Sequence, residues 1–229
     1  MATIPTEIAT PTALDPPVVR AEWTVAALLD QLGGIPPERV LMKPYPGTAT
    51  ENDILEMDDR GGPLCELIDG TLVEKAMGFY EAWLAGRILH AISSFLETHD
   101  LGIVTGPDGY LRLFPKQVRA PDVAFIRREQ LPGGRVPRDP IPMLAPTLPI
   151  EVISPSNTHR EMERKLREYF LVGAELVWYF YPESRSAIVY TSPEQSTEIG
   201  GDGVLSGGDV LPGFELPLQR LFSEKETSR

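Results

Sequence analysis

The sequence of 229 residues predicts an α/β or α+β sandwich in which helices flank a mixed central β-sheet. Three features support this fold class. A two-residue hairpin signal, Asp69-Gly70, precedes a long amphipathic helical segment. Several strand-like runs follow, and one of them, residues 148–153, is apolar except for one carboxylate, as in a strand covered on both faces. A second helical segment and two more strands complete an order that is typical of layered α/β domains.

Residues 1–60 are predicted to form an N-terminal extension with one short helix. Residues 1–20 are rich in Thr, Pro and Ala without apolar periodicity, which indicates a flexible lead. Residues 23–32 have helical spacing and are followed by Gly33-Gly34, a stop signal. Residues 35–62 contain several prolines and glycines and are expected to wrap the surface of the protein.

The central region carries the regular elements. A helix is predicted over residues 79–97, where apolar residues recur at helical spacing. A second helix begins at Thr158, whose spacing to Glu161 is that of a capping box, and ends near Gly173. Residues 192–222 are expected to add only short strands. The predicted strands before them are residues 64–68, 71–75, 103–105, 110–114, 121–126, 148–153, 176–181 and 187–191.

The charge balance restricts the classes of function. A formal net charge of −12 opposes loose binding to nucleic acid, because such binding depends on neutralising phosphates. Contact with DNA or RNA would therefore need a local basic patch, a bound metal or a partner protein. The single cysteine, Cys65, excludes a disulfide within the chain. With no pattern typical of a secretory signal or a membrane span, the sequence predicts a cytoplasmic protein without membrane association.

Two carboxylates in strand-like runs are the first candidates for chemistry. Glu151 lies within residues 148–153, where a buried carboxylate is costly unless it is paired or bound to a cation. Asp122 opens the next candidate run directly after Pro121. Taken singly, Glu151 is equally explained by a structural ion pair, and Asp122 by a strand-entry turn. Two carboxylates on neighbouring strands instead match the oxygen ligands that Mg²⁺ prefers.

Lys165, on the second helix, is the third candidate. The apolar stripe of that helix consists of Met162, Leu166, Tyr169 and Phe170. Lys165 flanks this stripe and is expected to lean toward the sheet. The charged residues that lie well away from the stripe are Arg164, Arg167 and Glu168. A surface ion pair between Glu161 and Lys165, four positions apart, is the alternative interpretation.

These candidates resemble the PD-(D/E)XK nuclease superfamily. More narrowly, residues 64–191 resemble the Uma-two family of restriction-endonuclease-like proteins. The resemblance implies a restriction-endonuclease-like core, over residues 61–222, and a short tail, residues 223–229. The segments that carry it are Glu66-Leu67-Ile68-Asp69-Gly70, Pro121-Asp122-Val123, Glu151-Val152-Ile153-Ser154-Pro155-Ser156, and Lys165 with Tyr169 and Gly173.

The resemblance also implies site residues and a cofactor. Asp122 and Glu151 are expected to bind Mg²⁺ or Mn²⁺. The superfamily lysine expected two positions after Glu151 is Ile153 here, and Lys165 is its expected substitute, which would orient water or stabilise charge. The position expected for a further acidic ligand is Glu81, with Glu66 and Glu74 as alternatives.

The predicted function is a metal-dependent endonuclease that hydrolyses phosphodiester bonds, with DNA as the expected substrate and a homodimer as the expected assembly. The residues expected to form a local basic entrance, or else an exposed polar loop, are Lys116, Gln117 and Arg119. The alternative is a non-catalytic nucleic-acid-binding or protein-interaction module on a degenerate nuclease fold, which the acidic charge and Ile153 favour.

Overall fold

The computed structural model describes residues 24–224, so the predicted lead over residues 1–20 and the end of the tail lie outside the described residues. The helices are α1 (Val25–Gln31), α2 (Glu51–Asp59), α3 (Phe79–Leu96), α4 (His159–Leu171) and α5 (Leu218–Leu221). The strands are β1 (Cys65–Ile68), β2 (Thr71–Glu74), β3 (Gly102–Thr105), β4 (Leu111–Phe114), β5 (Gln117–Arg119), β6 (Val123–Arg127), β7 (Leu148–Val152), β8 (Val177–Tyr181), β9 (Ser186–Ser192), β10 (Gln195–Ile199), β11 (Val204–Ser206) and β12 (Glu215–Pro217).

A six-stranded mixed sheet forms the centre of the protein, with strand order β10-β9-β8-β7-β6-β3. Strands β7 and β8 are parallel, and the other pairs are antiparallel. On one face, Ile88 and other apolar residues of α3 pack on Phe125 of β6 and Trp178 of β8. On the opposite face, Leu166 of α4 packs in the cluster that contains Tyr179 of β8. The predicted mixed sheet between helices is confirmed.

A second, four-stranded antiparallel sheet has the order β2-β1-β5-β4. Its first hairpin turns at Asp69 and Gly70, whose φ values of 50° and 73° agree with the predicted turn. Strand β5 is absent from the sequence prediction, because its three residues are too few to show an alternating pattern. It follows a tight turn at Lys116, where φ is 61°.

Residues 24–60 pack on this second sheet. The sequence predicts one short helix there, whereas the structure has α1, a 3₁₀ turn at Pro37–Arg39 and also α2. Ile54 of α2 is fully buried against Leu67 of β1. Helix α2 begins with a local signal, because the Asp53 carboxylate accepts a hydrogen bond from the Thr50 N–H at 2.7 Å. The predicted division at residue 60 remains a prediction about folding units.

The C-terminal strands are short, as the sequence predicts. Strands β11 and β12 form a two-stranded sheet that buries Leu205 and Leu216 against the α3 side of the large sheet. Within residues 24–224, none of the helices has the length and hydropathy that a bilayer span requires.

Arg39 ties the N-terminal part to the rest of the protein. Its guanidinium donates to both carboxylate oxygens of Glu161 on α4, at 2.8 and 3.0 Å. Its Nε–H also donates to the carbonyl oxygen of Glu74 on β2, at 2.9 Å. Both side chains of the ion pair are buried. Arg39, which precedes α2 in the chain, therefore connects the edge strand of the small sheet to the first turn of α4.

We expect Arg39→Ala to lower the free energy of unfolding by about 3–5 kcal/mol, because it leaves the Glu161 carboxylate buried and without its cation. Denaturant titration at neutral pH measures the effect. The matched control is Arg60→Ala, which removes an exposed pair with Glu56 and should cost less than about 1 kcal/mol. Equal losses in the two variants would contradict the role assigned to Arg39.

Candidate active site

Asp122 and Glu151 lie side by side at the junction of the central strands. Asp122 directly precedes β6, whose Val123 pairs with Ile150 of β7, the residue before Glu151. The Oδ2 atom of Asp122 accepts a hydrogen bond from the Val152 N–H at 2.6 Å, which fixes the side chain across the strands. Both carboxylates are buried, with 3% and 4% exposure. The structure therefore brings together the two carboxylates that the sequence singles out.

Lys165 completes this group. Its Nζ lies 3.1 and 3.2 Å from the two carboxylate oxygens of Glu151, and 3.1 Å from Oε1 of Glu66 on β1. The side chain is buried and points at the sheet, as the helical wheel predicts. The alternative surface pair with Glu161 is not formed, because Glu161 binds Arg39 instead.

Lys75 is a member of the site that sequence reasoning does not identify. Its Nζ lies 2.8 Å from Oδ1 of Asp122 and donates to the carbonyl oxygen of Ala120 at 2.5 Å. The side chain is 4% exposed. No spacing in the sequence relates Lys75 to Asp122, which lies far along the chain. The contact is visible only in the structure, where residues 120–122 lie next to the end of β2.

Tyr169 fixes the orientation of Glu151. Its hydroxyl, one turn of α4 beyond Lys165, donates to Oε1 of Glu151 at 2.5 Å. The sequence places Tyr169 on the apolar stripe and among the residues that carry the family resemblance, but it assigns no role to the hydroxyl, because a tyrosine ring at helical spacing is indistinguishable from a core residue. The hydroxyl meets a buried acceptor there, as buried tyrosines usually do.

The predicted basic entrance is corrected by the structure. Arg119 is 1% exposed and lies between two carboxylates, with Nη1 2.7 Å from Glu66 and Nη2 2.7 Å from Glu168. Gln117 is also buried, and its Oε1 accepts from the Asp69 N–H. Both residues belong to β5, which is covered within the small sheet, so only Lys116 of the three remains on the surface.

The predicted position of Glu168 is corrected in the same way. The helical wheel places Glu168 with Arg164 and Arg167, well away from the apolar stripe of α4. The structure covers this side of α4 with the small sheet, so that the Glu168 carboxylate pairs with both Arg119 and Arg164 at 2.7 Å. The helical wheel assumes that α4 buries a single face, whereas α4 contacts both the large sheet and the small sheet.

The third acid of the cluster is Glu66, one of the two alternatives to Glu81. Glu66 shares Lys165 with Glu151, whereas Glu81 lies in the first turn of α3 and is half-buried. Within residues 24–224, no group of three or more His, Cys, Asp or Glu side chains is arranged to hold a metal ion. A metal ligand at Glu81 or Glu74 therefore stays a prediction.

The electrostatics of the two glutamates diverge. Burial by itself would raise the pKa of Glu66, but Lys165, Arg119 and Lys75 together lower it to about 2. Burial raises the pKa of Glu151, and the charges of Asp122 and Glu66 add to this effect against the opposing influence of Lys165. The neighbouring cations thus stabilise the ionised form of Glu66. They do not fully compensate the cost of burying a charge on Glu151.

The donor chemistry of the pair Asp122 and Glu151 fits a hard divalent cation. Mg²⁺ is usually held by one or two carboxylates together with waters and substrate phosphate oxygens. Oδ1 of Asp122 is buried, and its contact with Lys75 lacks hydrogen-bond geometry, so this oxygen retains capacity for a cation. The side chains of the cluster are nevertheless buried, and two surface cavities of about 690 and 840 Å³ are lined by other residues.

A mixed sheet between helices is the architecture of a nuclease-like fold. The chain belongs to the family described as "Uma2: Putative restriction endonuclease", which matches residues 51–219. Its fold is similar to that of "a putative nuclease belonging to DUF820" from Anabaena variabilis, with a TM-score of 0.62 at 18% identity. That match covers 70% of this chain and 90% of the other. No curated protein matches the chain.

The lowered pKa of Glu66 predicts a specific loss of stability in acid. The stabilisation from its ion pairs is fully present above the ordinary pKa of 4.5 and is lost as pH falls toward about 2, on the order of 3 kcal/mol in total. Glu66→Gln should therefore unfold more easily at neutral pH and show a flatter pH dependence across that interval. Urea titrations at several pH values measure both effects. Glu183→Gln, an exposed substitution, should retain the wild-type curve; a wild-type slope in Glu66→Gln would refute the assignment.

Proposed function

We propose that this protein is a metal-dependent endonuclease that hydrolyses phosphodiester bonds, with DNA as its substrate. The observation that supports the proposal is the convergence of the carboxylates of Asp122 and Glu151 with the Lys165 ammonium, at 3.1 Å from Glu151. Family membership supports the same class of reaction. The proposal includes a homodimeric assembly, because paired nucleases cut both strands of a duplex. It also includes a cytoplasmic location.

Asp122 and Glu151 would hold the cation, either Mg²⁺ or Mn²⁺. When bound, such an ion polarises the phosphate and lowers the pKa of a coordinated water. Asp122 is held for this task by the Val152 N–H, and Glu151 by the hydroxyl of Tyr169. Because Glu151 and Tyr169 lie on β7 and α4 and Asp122 directly precedes β6, their positions are defined more closely than those of residues in a long loop.

Lys165 would stabilise negative charge that develops on the phosphoryl group, or orient the attacking water. Its ammonium is fixed between Glu66 and Glu151, and the two carboxylates keep the amine protonated by raising its pKa against the effect of burial. A preorganised cation in a dry site is worth more than one in water. The exposed Lys116, beside the small sheet, would contact the phosphate backbone outside the site.

A non-catalytic binding module is the second candidate, and two observations favour it. The acidic cluster is already neutralised inside the protein by Lys75 and Lys165, as a structural ion-pair network would be. Asp122, Glu151 and Lys165 are also closed to solvent, so a substrate phosphate reaches them only after side chains move. The net charge of −12 would direct such a module to a protein partner rather than to nucleic acid.

Plasmid nicking by purified protein in Mn²⁺ or Mg²⁺ distinguishes the two candidates. We expect metal-dependent cleavage that EDTA abolishes and that Asp122→Asn and Glu151→Gln reduce to the protein-free background. Lys165→Met should lose about 100-fold or more, as expected for removal of a preorganised charge-stabilising group. Asp202→Asn, an exposed carboxylate, is the matched control and should cleave like the wild type. Cleavage that survives Asp122→Asn would indicate a contaminant, and folded protein without cleavage would favour the binding module.

A further inference from the structure

Lys75 occupies a cage of oxygen atoms. Its ammonium lies 2.8 Å from Oδ1 of Asp122, 2.5 Å from the carbonyl oxygen of Ala120 and 3.3 Å from that of Pro107. The side chains of Lys75 and Asp122 are each 4% exposed, so water cannot replace these contacts. An oxygen cage of this kind requires a positive charge, because a buried carboxylate without one is strongly destabilising.

The same cage contains the oxygen that a divalent cation needs. Oδ2 of Asp122 accepts from the Val152 N–H at 2.6 Å, which leaves Oδ1 as the oxygen free to coordinate a metal. Lys75 covers Oδ1. A metal ion bound to this atom would place its charge next to the Lys75 ammonium 2.8 Å away, and the repulsion between the two charges favours departure of the ammonium.

We propose that Lys75 is an internal cation that occupies the Asp122 side of the site, and that a divalent cation binds by displacing its ammonium from Oδ1. The inference rests on the proposed function, because it takes Asp122 as a metal ligand. Lys75 thereby lowers the apparent metal affinity, since only molecules with Oδ1 released are competent to bind. It also stabilises the metal-free protein by compensating the buried carboxylate.

Lys75 is better suited to this exchange than Lys165. Lys165 bridges two carboxylates, Glu66 and Glu151, so that its departure would leave two buried anions exposed to each other. Lys75 pairs with one carboxylate and two backbone carbonyl groups. It also follows β2, the edge strand of the small sheet, where the chain leaves the sheet. Its flexible side chain can release Asp122 without disturbing a second ion pair.

Calorimetric titration with Mn²⁺ alone tests the exchange. Lys75→Met should bind Mn²⁺ about tenfold or more tightly than the wild type, the factor expected when one molecule in ten or fewer has Oδ1 released. Lys43→Met, which removes an exposed lysine, should bind as the wild type does. Equal or weaker Mn²⁺ binding by folded Lys75→Met, including no binding by either protein, would overturn the proposal.

Thermal unfolding with and without Mn²⁺ keeps the test decisive if Lys75→Met folds poorly. The variant should melt below the wild type without metal and should gain more from Mn²⁺, since a ligand that binds only the folded state stabilises it. The double variant Lys75→Met with Asp122→Asn has no uncompensated carboxylate and should fold without responding to Mn²⁺. A Lys75→Met protein that Mn²⁺ fails to stabilise would refute the exchange.

The nicking assay is independent of these measurements. Tighter Mn²⁺ binding by Lys75→Met, together with no cleavage by any form of the protein, would support the exchange and reject the nuclease. Cleavage by the wild type that depends on Asp122, together with unchanged Mn²⁺ affinity in Lys75→Met, would support the nuclease and reject the exchange. The two proposals therefore fail separately.

Discussion

The burial of three carboxylates beside two ammonium groups is the constraint on which the rest of the structure depends. Glu66 and Glu151 lie on β1 and β7 and Asp122 directly precedes β6, and taking such charges out of water costs several kcal/mol for each ion. In the metal-free protein that cost is offset by Lys75 and Lys165, together with Arg119 beside Glu66. The hairpin, the central strands and α4 must therefore keep a fixed arrangement, and a shift of any one would leave a buried charge without a partner.

The N-terminal part and the small sheet serve this arrangement. Arg39 lies outside the segment that matches the family, yet it connects the strand that precedes Lys75 with the turn of α4 that precedes Lys165. Arg119 does the same from within the small sheet, where it joins Glu66 to Glu168. Four basic side chains, those of Arg39, Lys75, Arg119 and Lys165, are buried and compensate buried carboxylates in a protein whose net charge is −12.

Local signals predict the elements well and the site in part. The Asp69-Gly70 turn and the capping box at Thr158 depend on neighbouring residues only, and both are present in the structure. Glu151 is conspicuous because it interrupts an otherwise apolar strand, where burying a carboxylate costs free energy unless the charge is paired. Helix α2 carries a similar cap at Thr50, but the prolines and glycines around it hide the signal.

By itself, the sequence determined the main helices and strands other than α2 and β5, the mixed sheet and the three candidates Asp122, Glu151 and Lys165, because periodicity and apolar context are local properties. Only the tertiary structure decided which cations neutralise those acids. Lys75 meets Asp122, and Arg119 meets Glu66, across long stretches of chain. Ion pairs of this kind have no sequence spacing of their own. The pairing of β1 with β5 sets the distance between Glu66 and Arg119, and the placement of the small sheet beside the large one sets that between Lys75 and Asp122.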